Sequence, residues 1–197
     1  MKEHPILFSA PMVRAILEGR KTQTRRPVKA YCDDRGLRWM HPKTGWENWH
    51  GEWVRCPYGF TGDHLWVKET FAFSDSFDDR KPSELGNNPG IEYRSGGTNV
   101  NAEHLCGRGK WRPSIFMPRK FSRITLEVTD VRVERVQEIT NADSLAEGIG
   151  FIYSYDKPEP PVDGRRRFAE IWNSIHNKRD TGWEQNPWVW VIEFKKI

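Results

Sequence analysis

The length of the chain, 197 residues, limits it to one domain with insertions or one domain with a small appendage, because domains usually contain about 100 to 200 residues. Hydrophobic residues make up only 37% of the sequence but include ten Trp and ten Phe, so aromatic rings must supply much of the core. The formal net charge of +4 favours anionic partners without requiring them, and the absence of a long apolar run excludes a membrane span.

The N-terminal region predicts a short strand and then an amphipathic helix. The strand candidate is 5–8, and Ser9 before an early proline is a typical helix N-cap. Apolar residues then recur at helical spacing, at Met12, Val13, Ile16 and Leu17. Gly19 supplies a helix stop, the basic stretch 19–26 is predicted to be a polar turn, and a strand is expected to resume at Val28.

Two long insertions are predicted around a strand at 64–70. Residues 30–61 show neither helical nor strand periodicity and are expected to be irregular, and the polar segment 74–110 is expected to be loop. The first insertion is rich in tryptophan, at Trp39, Trp46, Trp49 and Trp53. These rings are expected to cover an edge of the core, with stacking on nucleic-acid bases as the alternative.

The C-terminal half alternates strands and helices. Residues 123–134 predict two short strands or one bent strand, and Thr140 opens a capping-box pattern for a short helix that closes with Glu147. The clearest amphipathic helix has its apolar face at Phe168, Ile171, Trp172 and Ile175. The apolar segment 188–194 predicts a strand buried on both faces, so the elements together indicate an α+β domain on a small, strongly curved sheet.

Several stretches carry a resemblance to a known family. The motifs ILF at 6–8, ILEGRKTQTRR at 16–26, GDHLWVKET at 62–70 and WVWVIEF at 188–194 resemble the ASCH domain family. The motifs WRPSI at 111–115 and MPR at 117–119 resemble the larger ASCH proteins of bacteria and their phages. The resemblance implies one PUA-like domain over residues 1–197, a small curved β-barrel with short flanking helices, insertions at about 30–61 and 74–110, and a cleft between the first helix and the sheet.

The resemblance also implies an activity. Small bacterial members of the family are amidohydrolases that remove the acetyl group from N(4)-acetylcytidine, using a Lys, a Thr three residues later and a Glu further along. The corresponding residues here are Lys21 as base, Thr24 as nucleophile and Glu147 as acid or orienting group. The residues expected to bind substrate are Arg20, Arg26 and Glu69, and Glu69 is also the competing candidate for the carboxylate of the cleft. The expected partner is a small nucleoside, and no cofactor is expected.

The basic stretch itself supports part of this chemistry. A lysine amine serves as a base only when its pKa falls from about 10.4 toward neutrality. Arg20, Arg25 and Arg26 lie beside Lys21 in sequence, and their like charges would lower the pKa of Lys21 in a desolvated cleft.

Two other functions remain open from the sequence. The arginines of the basic stretch predict, as one alternative, a module that binds RNA or a modified nucleoside without turnover. A metal-independent ribonuclease is the other, with Lys21 and Arg26 stabilising the charge of the transition state. No pattern in the sequence indicates an oligomeric state.

Cysteine and histidine residues give little indication of a metal site. Cys32, His41, Cys56 and His64 have the elements of a zinc site, but their separations match no standard motif. Together with Cys106 the chain has three cysteines without CxxC spacing, which indicates reduced thiols. The N-terminus lacks the order of a signal peptide, so a cytoplasmic location without membrane contact is expected.

Overall fold

The computed structural model describes residues 1–29, 35–41, 45–87, 89–98, 107–149, 163–176 and 181–197, with 38–41 as backbone alone. Cys32, Cys106 and the side chains of Trp39 and His41 lie outside the described residues. None of the described helices is both long and apolar enough to cross a membrane.

The described residues combine three α-helices with ten strands. The helices are α1 (Ala10–Leu17), α2 (Asn141–Ala146) and α3 (Gly164–His176). The strands are β1 (Glu3–Leu7), β2 (Gln23–Pro27), β3 (Leu37–His41), β4 (Gly45–Asn48), β5 (Trp53–Val54), β6 (His64–Lys68), β7 (Phe71–Ala72), β8 (Glu92–Tyr93), β9 (Thr125–Arg135) and β10 (Trp188–Lys196). The predicted α+β class is therefore confirmed.

A five-stranded mixed sheet forms the centre of the fold, in the order β1-β6-β9-β10-β2. β1 pairs with β6 in parallel, and the remaining pairs are antiparallel. β1 and β2 are the edges and do not pair with each other in the described residues, so the sheet is open there and the predicted barrel is not confirmed. Arg26 Nη2 on β2 nevertheless donates to Leu7 O on β1 at 2.6 Å, because the sheet curves enough to bring its edges within reach of one side chain.

β10 is buried on both faces, as its apolar sequence predicts. Trp190, Ile192 and Phe194 face the main core, which also contains residues of α1, β1, β6 and β9. Val189 and Val191 face the other way and pack with Phe168 and Trp172 of α3. Since successive side chains of a strand point to opposite faces, this one strand fixes the position of α3 relative to the sheet.

α1 forms where the sequence predicts it, with differences at both ends. Its buried residues are Val13, Ala15 and Ile16, whereas Leu17 lies partly in solvent at the last position. Ser9 has the extended backbone of an N-cap, but its hydroxyl accepts no capping hydrogen bond. Gly19 has a φ of 73°, so the chain leaves the helix through a conformation that favours glycine.

The basic stretch is the largest departure from the sequence prediction. β2 occupies Gln23–Pro27, so half of the predicted turn is a strand and no new strand begins at Val28. Gln23, Thr24 and Arg25 are buried although they are polar. Their burial is possible because their backbone groups pair with β10. The side chains of Gln23 and Arg25 also bind the carboxylate of Asp143 in α2. A search for apolar residues cannot detect such a strand.

The first insertion is also more ordered than predicted. β3, β4 and β5 form a three-stranded antiparallel sheet within 30–61. Trp46 is buried there, 5.9 Å from the Phe60 ring and 4.7 Å from the Trp190 ring between centroids, so this residue does cover the core. Trp49 and Trp53 are exposed.

The second insertion is mostly loop, as predicted, but it has its own core. Short 3-10 turns and the β7-β8 pair surround a second apolar cluster that joins 71–77 to the loop. Its buried members are Phe71, Phe73, Leu85, Ile91, Tyr93, Met117 and Phe121. The segment therefore packs on the rest of the domain through a few apolar residues, although its overall composition is polar.

Candidate functional site

A cleft of about 520 Å³ lies between α1 and α3. One wall contains Met12 and Arg20, the opposite wall contains Arg167 and Phe168, and Glu147 lies between them. The volume is in the range of small-molecule sites, and the mixture of apolar walls with a few polar groups is typical of them.

The end of α2 positions Glu147. Thr140 and Asp143 form the predicted capping box, with Asp143 N donating to Thr140 Oγ1 at 3.0 Å and Thr140 N to Asp143 Oδ2 at 2.9 Å. The helix then ends at Glu147, whose backbone pairs with Lys21 in an isolated β-bridge. A Cβ on the following residue, Gly148, would lie 3.0 Å from Lys21 Cβ, so glycine permits the close approach.

Lys21 and Glu147 form a buried ion pair. Lys21 Nζ lies 2.7 Å from Glu147 Oε2, and the two side chains are 0% and 5% exposed. Lys21 Nζ also donates to Glu147 O at 2.9 Å and to Gln23 O at 2.8 Å. Burial lowers the pKa of Lys21, and the charges of Arg26 and Arg25 act in the same direction, whereas Glu147 opposes the shift.

The second oxygen of Glu147 is not satisfied by hydrogen bonding. Oε1 is buried and has no hydrogen-bond partner, and Arg25 Nη1 lies 3.6 Å from it. The Arg25 side chain is itself fully buried, and its Nη2 pairs with Glu134 at 3.1 Å and Asp143 at 3.3 Å. Glu147 is also one of the residues that line the cleft.

Thr24 lies three positions after Lys21 in the chain. Thr24 is buried on β2 opposite Ile192. Strand alternation places Thr24 on the same face as Arg26, whose guanidinium lies 5.3 Å from the Phe8 ring centroid, and Lys21 Nζ lies 5.7 Å from the same ring. No hydrogen bond joins Thr24 to Lys21 or Glu147 within the described residues, so the structure brings together only two of the three predicted catalytic residues.

The three predicted substrate-binding residues occupy different places. Arg20 lines the cleft, where its Nε donates to Glu18 at 2.8 Å and its Nη1 to Gly148 O at 3.1 Å. Arg26 is used in the contact to Leu7 that links the sheet edges.

Glu69 lies at a different buried cluster. It accepts from Arg123 Nε at 2.9 Å and from Arg123 Nη2 at 3.1 Å, and Ser95 Oγ donates to it as well. Arg123 in turn lies 4.0 Å from the Tyr93 ring centroid. Of the two candidate carboxylates, Glu147 is therefore the one that contacts Lys21.

The basic stretch does not form an open surface for phosphates. Lys21 and Arg25 are buried and ion-paired, and Arg26 is bound to a backbone carbonyl. Binding of a polymer requires accessible cations, so these three side chains are poorly placed for phosphate contacts, and the RNA-binding and ribonuclease alternatives stay predictions.

Of the four residues that have the elements of a zinc site, Cys56 and His64 have described side chains. No group of three or more His, Cys, Asp or Glu residues suited to a metal occurs in the described part of the chain. The Cys56 thiol is buried, and burial raises its pKa to about 12. Such a thiol is a poor metal ligand and a poor nucleophile, because both roles need the thiolate.

Comparison with known proteins does not assign a family to the chain. No protein-family model matches the sequence, and no curated protein matches it. Among solved structures, the chain is similar to protein EF3133 from Enterococcus faecalis V583, which carries the family designation DUF984. The two share 7% identity, with a TM-score of 0.44 over 100% of this chain and 81% of that one.

Sequence reasoning missed three residues of the site, namely Arg25, Asp143 and Arg167. The polar residues Lys21, Gln23 and Arg25 have a spacing of two, and all three meet carboxylates at or beside α2. A spacing of two residues between polar side chains is typical of a strand with one polar face. Arg167 was signalled by a run of three arginines at the start of an amphipathic helix.

Proposed function

We propose that the chain is an amidohydrolase that removes an acyl group from the N(4) position of an acylated cytidine, such as N(4)-acetylcytidine. The observation that carries this proposal is the buried pair of Lys21 and Glu147 at the cleft between α1 and α3. Burying an ion pair carries a desolvation cost that its mutual attraction often fails to offset, so such a pair beside a cleft is a good functional-site candidate. The resemblance of 16–26 to the ASCH family supplies the substrate class.

The proposal includes an ASCH-type, PUA-like fold. The mixed, strongly curved sheet supports it, as does the contact between Arg26 and Leu7 that brings the two edges together. The resemblance predicts a cleft between the first helix and the sheet, whereas the observed cleft borders α1 but has α3 as its opposite wall.

The chemistry is acyl transfer in two steps. Thr24 Oγ1 attacks the acyl carbonyl while the neutral amine of Lys21 takes its proton, and the carbonyl carbon then releases the cytosine nitrogen, which leaves with a proton from Lys21. Water attacks the resulting Thr24 ester, a proton returns to Thr24, and the carboxylic acid departs. Catalytic hydrogen bonds are often longer in a free enzyme than in its complex, so substrate binding is required to bring Thr24 and Lys21 into contact.

Glu147 has two roles in this scheme, one for each oxygen. Oε2 holds Lys21 Nζ at 2.7 Å and keeps the amine in place. Oε1 has no hydrogen bond and accepts from the N–H of the amide substrate. Met12 and Phe168 on the walls supply apolar surface for the base and the acyl group.

The direct test is incubation of the purified chain with N(4)-acetylcytidine, with cytidine and acetate measured by chromatography. We expect catalytic release of both products in a 1:1 ratio. A Glu69→Gln variant is the matched control, because it alters a buried carboxylate away from the cleft and is expected to keep activity where it folds. The proposal is wrong if the wild-type chain releases no cytidine from this nucleoside or from its longer N(4)-acyl analogues.

The pH dependence of this reaction reports on Lys21. The neutral amine is the active form, so kcat/KM rises as the pH increases through the pKa of Lys21 and then levels off. Burial lowers that pKa below the ordinary value of 10.5, so the midpoint of the rise is expected below pH 10.5. A stopped assay across alkaline pH, with stability followed by circular dichroism, measures the midpoint. A rate that is flat across this range would contradict the role of Lys21 as base.

A further inference from the structure

We propose that the substrate of this cleft carries a phosphate, as a cytidine 5′-monophosphate acylated at N(4), and that Arg167 binds that phosphate. This inference rests on the proposed function and adds to it the class of substrate. It comes from the start of α3, where three arginines follow Gly164 and no acidic residue lies in the first turn. The helix dipole opposes cations at this end, so the placement is unfavourable for the helix alone.

The three arginines have different surroundings. The guanidinium of Arg165 lies 5.8 Å from the Trp183 ring centroid. Arg166 Nε lies 3.5 Å from Glu170 Oε1, and its side chain points into solvent. Arg167 is the one that lines the cleft, and its guanidinium has no ion pair or hydrogen bond among the described residues. The residue is half-buried.

Arg20, the other cation that lines the cleft, and the two cations buried next to Glu147 already have acidic partners. The pairs are Arg20 with Glu18, Lys21 with Glu147, and Arg25 with Glu134 and Asp143. Arg167 is thus the uncompensated cation of the described cleft, and a bound anion would complete its contacts. A guanidinium presents planar, paired donors that match two oxygens of a phosphate.

A second group beside the cleft, Glu147 Oε1, makes no hydrogen bond, although Arg25 Nη1 lies 3.6 Å from it. This oxygen is buried, and its side chain is 5% exposed. The cleft therefore offers an acceptor at Glu147, a cation at Arg167 and apolar surface from Phe168 and Ile171 on the same helix as the cation. A nucleotide carries complementary groups in the same spatial order, with an N–H donor on its base and a phosphate on the other side of its sugar.

The test compares N(4)-acetylcytidine with N(4)-acetylcytidine 5′-monophosphate. We expect kcat/KM to be on the order of tenfold higher for the monophosphate, with the difference mainly in KM and diminishing as salt increases. Arg167→Ala is expected to abolish the preference, so that kcat/KM becomes similar for the two compounds. Arg166→Ala, which removes the neighbouring guanidinium from the same helix, is expected to keep the preference.

Binding measurements separate this inference from the proposed function. Calorimetric titration with cytidine 5′-monophosphate and with cytidine measures the contribution of Arg167 to binding without any hydrolysis. If neither acetylated compound is hydrolysed, the proposed function is rejected, but the binding measurement still tests the phosphate site. Equal affinity for the two ligands, or a preference that persists in Arg167→Ala, would overturn the phosphate site while leaving hydrolysis in place. Preferred hydrolysis of a short oligoribonucleotide containing N(4)-acetylcytidine would instead assign the phosphate to an RNA backbone and overturn the monophosphate.

Discussion

Replacing Lys21 by Met is expected to abolish hydrolysis of N(4)-acetylcytidine and to lower the free energy of unfolding by about 3 to 5 kcal/mol. The substitution keeps a long apolar stem but removes the amine, which leaves the carboxylate of Glu147 buried beside Arg25 alone, at 3.6 Å. Loss of one partner of a buried pair is more destabilising than loss of both, because the remaining charge stays desolvated. Product release and equilibrium denaturation in urea measure the two effects.

A double variant separates the two consequences of this substitution. Lys21→Met combined with Glu147→Leu removes both charges, so we expect it to regain part of the lost stability and none of the activity. Activity in the single Lys21→Met variant would contradict its role as base. A double variant no more stable than Lys21→Met would show that the pair is not coupled as its 2.7 Å contact indicates.

The elements with strong apolar periodicity could be predicted from the sequence. β10 buries several apolar residues at strand spacing, α3 buries Phe168 and Trp172 at helical spacing, and both form close to the predicted bounds. β9 is a single strand of 11 residues with a register shift against β10 between Glu193 and Phe194, which agrees with the prediction of a bent strand. In these segments the local pattern and the tertiary packing favour the same structure.

Elements that depend on distant partners could not be predicted in this way. β2 is stabilised by pairing with β10 and by carboxylates about 120 residues away, such as Asp143 for Gln23. The sheet within 30–61 consists of short strands whose packing depends on the contact of Trp46 with Trp190. Neither contact leaves a periodic apolar signal in its own segment, so the sequence indicated a turn and an irregular loop.

The same limit applies to the candidate site. The residues alone indicated a basic stretch at Lys21, and the choice of Glu147 as its partner came from the family resemblance. The contact between them joins residues 126 positions apart. Arg25 was considered only as a neighbouring positive charge, although its buried guanidinium connects Glu147 to Glu134 and Asp143.

Thr24→Val is expected to lower kcat/KM for N(4)-acetylcytidine on the order of 10³-fold or more while changing the free energy of unfolding by about 1 kcal/mol or less. The nucleophile supplies the covalent step, so its loss leaves only the contribution of binding and charge stabilisation. The stability effect is small because valine keeps the branched shape of the buried Thr24, which makes no hydrogen bond to Lys21 or Glu147.

Thr22→Val is the matched control for this variant. Thr22 lies two positions earlier and is exposed, while its backbone N donates to Ala146 O at 2.8 Å, a bond that the substitution retains. We expect Thr22→Val to keep full activity, with both variants compared by steady-state kinetics and urea denaturation. If Thr24→Val retains turnover, the acyl-enzyme scheme fails, and water activated at the pair of Lys21 and Glu147 must then attack the amide directly. Mass spectrometry during turnover distinguishes the two routes, because only the first adds an acyl group to the peptide that contains Thr24.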